Sequence, residues 1–148
     1  QSPGAGSRRL RLLLDTHILL WATVDPELLS IREDRRMRAP DAQICVSAVS
    51  IWEIRIKWNS FRRSGARKLD ASPHEVLAFV EDMSWQLVAL TPGHAAAALA
   101  QPLAHKDPFD ELLLVQAQEE GLRLLTRDKL LAGHPLVVGA EQMLLRCD

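Results

Sequence analysis

Short apolar runs separated by stretches of helical period constrain this chain more than any other feature. The runs lie at Leu10 to Leu14, Ile44 to Val46, Leu87 to Leu90, Leu122 to Leu125 and Leu136 to Val138. They are brief and apolar on both faces, which suits strands buried in a parallel sheet better than strands with one wet face. Between them the spacing predicts helices over Ile18 to Ala22, Leu28 to Met37, Ala48 to Trp58, His74 to Met83, Pro92 to Gln101 and Asp110 to Glu120. Strand and helix alternate, so the expected fold class is α/β around a parallel sheet of about five strands.

The 148 residues, 47% apolar and 25% charged, suffice for one domain with a real core and exclude an intrinsically disordered chain. The opening residues 1–7, QSPGAGS, read as a disordered tail or cloning remnant, leaving 8–148 as a single domain. Lys and Arg number 18 against 19 Asp and Glu, so any attraction for a polyanion must come from local clustering. Cys45 and Cys147 lack the spacing of a disulfide framework or a zinc site, and no apolar run approaches the roughly 18 residues of a membrane span. A soluble protein in a reducing, cytoplasmic setting, with no membrane partner, is expected.

In open parallel sheets the ligand site lies beyond the carboxyl ends of the strands, where the strand order reverses. Asp15 follows the first run, Glu53 falls early in the helix after the second, Asp110 opens the helix before the fourth, and Asp128 follows the fourth. Each acid has a local explanation. Asp15 or Thr16 suits a helix cap, Ser50 to Glu53 has capping-box spacing, Asp107-Pro108-Phe109-Asp110 reads as cap, proline and first-turn acid, and Asp128 can close a turn with Thr126. Four caps have no reason to converge on one sheet edge, whereas hydrolysis by a hard divalent ion needs several carboxylates together. Without a cation such a cluster repels itself.

At these residues the chain resembles the PIN-domain ribonucleases, and among them the VapC toxins of type II toxin–antitoxin pairs. The resemblance rests on LLLDTHILLWA around Asp15, VSAVSIWEIRIK around Glu53, HKDPFDELLLVQAQEEGLRLLTRDKLL around Asp110 and Asp128, and their order. It spans about Leu10 to Val138. It implies a three-layer α/β/α fold and a Mg²⁺- or Mn²⁺-dependent endoribonuclease that cleaves RNA with a metal-activated water. The family's acids fall on Asp15, Glu53, Asp110 and Asp128, with Asp15, Asp110 and Asp128 as metal ligands and Asp107 as an N-cap. Thr16 and Thr126 accompany the acids in similar proteins as supporting hydroxyls. The resemblance further implies a homodimer held inactive by a VapB-type antitoxin.

Arg55, Lys57, Arg62, Arg63, Arg67 and Lys68 form the one strongly basic stretch. Arg55, Lys57, Arg62 and Arg63 are the candidate RNA contacts, against the plainer reading of a solvated helix face and loop. His17 and His105 neighbour the acids, although a packed or solvent-facing histidine is commoner at a helix start. Trp21, Trp52 and Leu20 have helical spacing that serves packing or an interface. A receiver domain would need a phosphoacceptor aspartate after the third strand, where Leu87-Val-Ala-Leu-Thr-Pro has none. The remaining alternative is a catalytically silent PIN-like binding or assembly module, which a nuclease assay with a chelator control distinguishes.

Overall fold

Leu12, Leu13 and Leu14 are fully buried because the strand they form, β1 (Leu10–Leu14), runs through the middle of the sheet. The structure is a computed structural model that describes residues 10–139. The expected tail over residues 1–7 therefore lies outside the described residues.

After β1 the chain forms α1 (Thr16–Val24), a 3-10 turn (Pro26–Leu28), α2 (Ile31–Arg38), β2 (Ala42–Ser47), α3 (Ala48–Trp58), α4 (Pro73–Asp82) and β3 (Gln86–Val88). It continues through α5 (Pro92–Ala96), α6 (Pro108–Glu120), β4 (Arg123–Leu125) and β5 (Val137–Val138). The sheet order is β3-β2-β1-β4-β5, and every pairing is parallel. The α/β class with a five-stranded parallel sheet is as the apolar runs require.

The pleat divides β1 between two cores. Leu12 and Leu14 pack with Ile18 and Leu19 of α1, Ile54 of α3 and Val76 and Val80 of α4. Leu13 faces the opposite layer, with Val49 of α3, Leu113, Leu114 and Ala117 of α6, Leu122 and Leu124. Helices cover both faces, which gives the α/β/α sandwich and explains why the strands read as continuous apolar runs. Gly121 ends α6 with φ 71°, a left-handed cap that spares glycine the Cβ clash other residues meet, and turns the chain into β4.

Several local expectations need correction. The helix anticipated over Leu28 to Met37 is split, because Ser30 and Glu33 form a reciprocal capping box that starts a new helix after the 3-10 turn. The helix anticipated over Pro92 to Gln101 stops at Ala96, where Ala97 turns extended. The Gln118 side chain then serves the backbone of Ala98 and Ala100, at 3.0 and 2.8 Å, in place of helical partners. The strand anticipated over Leu87 to Leu90 is instead Gln86–Val88, an edge strand that leaves Leu87 and Leu90 exposed. The cap of α3 is Ser47, whose hydroxyl accepts the Val49 amide at 2.9 Å, so Ser50 and Glu53 form no capping box and both lie inside the helix.

Candidate active site

The strand order reverses between β1 and β4, and that is where Asp15 stands. Its amide still bonds the Leu125 carbonyl of β4 at 3.0 Å, one step past the last paired residue of β1. Its backbone is extended (φ −61°, ψ 152°), and its Oδ1 accepts the Thr16 amide at 2.7 Å. Asp15 is thus the N-cap of α1. Its other oxygen, Oδ2, accepts the Thr126 hydroxyl at 2.7 Å from the end of β4, so both edges of the reversal point hold this carboxylate.

Thr16 links Asp15's helix to α3. Its hydroxyl lies 2.8 Å from Glu53 Oε1 and 3.0 Å from Ser50 Oγ. One proton serves one acceptor, and the carboxylate is the stronger, so Thr16 donates to Glu53 and receives from Ser50. Glu53 Oε2 is paired with the Lys57 ammonium at 2.9 Å, one helical turn on. Both oxygens of Glu53 are therefore engaged.

Asp110 arrives from the first turn of α6. Asp107 caps that helix, accepting the Phe109 and Asp110 amides at 2.9 and 3.3 Å, and Pro108 occupies the first turn, where its missing N–H costs nothing. An edge-to-face contact of Trp52 with Phe109, centroids 5.2 Å apart, ties this helix start to α3. Glu53 and Asp110 are the chain neighbours of that aromatic pair. Asp128 follows β4: the Thr126 hydroxyl accepts its amide at 3.1 Å, and its Oδ1 accepts the Leu130 amide at 2.9 Å.

The electrostatics place the acids together. Burial first, and then the charges of Asp107, Asp15 and Asp128, push Asp110 from 3.8 up to about 7, against a small opposing pull from His105. Asp15 is also raised, chiefly by burial, although the Thr126 hydroxyl, His17 and the Thr16 amide hold it down; Glu53 adds to the rise. Carboxylates from the end of β1, the first turn of α6 and the end of β4 therefore act on one another. Their donor atoms are oxygens, the chemistry a hard divalent cation prefers, and such a cation would relieve the repulsion. Among the described residues no three His, Cys, Asp or Glu side chains stand already closed into a ligand set.

The expected supporting threonines, Thr16 and Thr126, are both buried and both hydrogen-bonded to the acids. The basic residues divide. Lys57 lies on Glu53, whereas Arg55, Arg62 and Arg63 are exposed. Arg67 folds back over Trp58 and Phe61, at 4.0 and 4.9 Å from their ring centroids, and stiffens the loop that carries Arg62 and Arg63. Leu20 is core, whereas Trp21 is half-buried and Trp52 is 42% exposed, leaning on Phe109.

Sequence reasoning did not single out Ser50 as Thr16's partner, nor Arg127 as an anchor. The Arg127 guanidinium bonds buried Glu33 at 2.9 Å and the Leu28 carbonyl at 2.9 Å, and lies 4.2 Å over Trp21. It thereby fastens the segment bearing Asp128 to α2. The Glu53–Lys57 pair had a legible signal, the four-residue spacing of an acid before a lysine on one helix face. Arg127 had none, since its acid lies 94 positions away.

A family model described as the PIN domain matches residues 12–133. Ribonuclease VapC22 of Mycobacterium tuberculosis is 31% identical over 126 residues, covering 83% of this chain and 91% of the relative. Among solved structures, a toxin–antitoxin complex from Klebsiella pneumoniae superposes with a TM-score of 0.58 at 24% identity, covering 87% of this chain and 97% of that one. The VapBC2 complex of Rickettsia felis, bound to a DNA fragment from its promoter, gives 0.57 at 13% identity, covering 88% and 97%. At these identities the superpositions speak for the fold.

Proposed function

The chain belongs to the PIN-domain family, among its VapC-type ribonucleases, and from that premise we propose a divalent-metal-dependent endoribonuclease that serves as the toxin of a toxin–antitoxin pair. The observation that carries the reading is that Asp110, raised to about 7 first by burial, is raised further by the charges of Asp107, Asp15 and Asp128 at the point where the strand order reverses. Structural caps gain nothing from such repulsion. A site for a cation does.

Asp15, Asp110 and Asp128 would hold the ion, either Mg²⁺ or Mn²⁺, with Glu53 acting through water or through its neighbours. When bound, such an ion acidifies a water and offsets the charge that develops on phosphoryl oxygens. The chain's own residues supply the rest. Thr126 keeps Asp15 turned toward β4, Thr16 keeps Glu53 turned toward α1, and Lys57 neutralises the oxygen of Glu53 that Thr16 leaves open. The exposed cations Arg55, Arg62 and Arg63 would attract RNA phosphates by simple Coulomb attraction. The nuclease would be a single domain over residues 8–148.

The partners proposed are RNA as substrate, a VapB-type antitoxin and a second copy in a homodimer. Among the described residues no helix is long and apolar enough to cross a membrane, and a cytoplasmic setting is the one in which a toxin of this kind meets RNA.

The deciding experiment replaces Asp15 by Asn. The Asn oxygen can keep the Thr16 amide and its NH₂ can meet a rotated Thr126 hydroxyl, so the helix cap survives while a repelling charge is lost. RNA cleavage should fall by at least about 100-fold, the scale on which a group central to charge stabilisation acts, and a chelator should abolish cleavage by the parent. A parent that cleaves equally well in chelator, or an Asp15→Asn chain that cleaves like the parent, refutes the metal-nuclease reading. Inactivity of the parent under all metal conditions would favour the silent binding module.

A further inference from the structure

His105 has one ring nitrogen in use and one without a partner. Its Nδ1 accepts the Asp107 amide at 3.3 Å. A nitrogen that accepts carries no proton in a neutral imidazole, so the ring proton sits on Nε2. That Nε2 is buried and has no hydrogen-bond partner. It faces Asp110 Oδ2 at 3.7 Å, beyond hydrogen-bond length by a fraction of an ångström.

A buried donor left unpaired costs free energy, which makes this geometry informative. The ring is tied to the same turn that caps α6: it accepts from Asp107, and Asp107 accepts from the amides of Phe109 and Asp110. His105 and Asp110 are thus held by one short network at the start of one helix. A small rotation of the Asp110 side chain closes the gap and satisfies the orphan N–H.

We propose that His105 is a positioning residue for Asp110, donating its Nε2 proton to Oδ2 so that the carboxylate's other oxygen is held toward Asp15 and Asp128. This deepens the metal-nuclease reading and rests on it. A role confined to the turn would need only the Nδ1 acceptor.

Two substitutions separate those roles. In His105→Asn the amide oxygen stands near Nδ1 and can keep the Asp107 amide, but nothing reaches the Nε2 position. In His105→Gln the amide nitrogen reaches toward the Nε2 position while the acceptor is lost. Mn²⁺ binding is measured by calorimetry on the full chain, with melting in chelator as the stability control. We expect His105→Asn to melt like the parent in chelator and to bind Mn²⁺ about 10- to 100-fold more weakly, the range seen when a group that orients a metal ligand is removed. His105→Gln should recover most of that affinity even if it melts lower.

Parental Mn²⁺ affinity in His105→Asn overturns the proposal, as does a loss of affinity in both variants that merely tracks their loss of melting temperature. Should the Asn variant not fold, His105→Gln decides: affinity within a few-fold of the parent supports positioning, and a loss as large as that of Asp110→Asn refutes it. A parent chain that binds no Mn²⁺ would instead sink the nuclease reading itself.

Discussion

Asp110 carries the most telling property of any single residue. Its folded pKa of about 7 lies above the ordinary 3.8. Between those values the native chain holds a proton that the unfolded chain has released, so stability falls as pH rises through the window. For one such group the slope reaches at most about 1.4 kcal/mol per pH unit. In chelator, the parent should therefore melt higher at pH 5 than at pH 8, and Asp110→Asn should flatten that trend; an unchanged slope in the variant would show that Asp110 is not the group that titrates between those values. Asp15, also raised, contributes with the same sign. Glu33 works the other way: burial alone would raise it, but the Arg127 hydrogen bonds and the Ser30 amide outweigh that and lower it. Its contribution is present above the ordinary 4.5 and is lost as pH falls below it, a range that lies below the pH 5 to 8 comparison proposed for Asp110.

Among elements, α3 and α6 matter most to the site, because Trp52 against Phe109 is the contact that brings the Glu53 helix to the Asp110 helix start. Phe109→Ala removes an aromatic packed against the second core. It should cost about 2 kcal/mol, less than the loss for a fully buried ring because Phe109 is only half-buried. Mn²⁺ affinity should fall with it, since Asp110 loses its registry with α3. Urea unfolding and metal titration on the same variant check the two effects, and undiminished metal affinity would show that Asp110 holds its place without the Trp52–Phe109 contact. This clamp was only partly visible beforehand. Trp52 reads from its spacing as core or interface, and only the packing of α6 on α3 reveals which ring it meets.

For the whole molecule, a cation that binds the native acids and not the unfolded chain must raise the melting temperature. At a hundredfold excess over Kd the gain is about 2.7 kcal/mol, or roughly 5–10 °C for a domain of this size. Asp15→Asn should show little of that rise. A parental melting curve indifferent to Mn²⁺ would contradict the metal site, whatever the activity assay reports. The three-layer wrapping of the sheet explains why the acids can tolerate their repulsion in the meantime. Two apolar cores hold β1 from both faces, and Asp15 sits just past its end, outside both clusters.

From the sequence alone came the alternation of strands and helices, the parallel sheet, the four acids and the cap at Asp107, because these depend on local spacing and on residue chemistry at element ends. The sequence left open which hydroxyl meets which carboxylate. Thr126 reaches Asp15 across 111 positions and Thr16 reaches Glu53 across 37, and no local pattern encodes such pairs. It also misplaced the α3 cap, since Ser47 and Ser50 have equal chemistry and only the end of β2 decides which of them starts the helix. Tertiary structure decided that Arg127 is spent on Glu33 and that Trp52 meets Phe109. The physical reason is the same in each case: a charge, a hydrogen bond or a ring contact acts over a few ångströms in space, and folding alone sets which distant residues come that near.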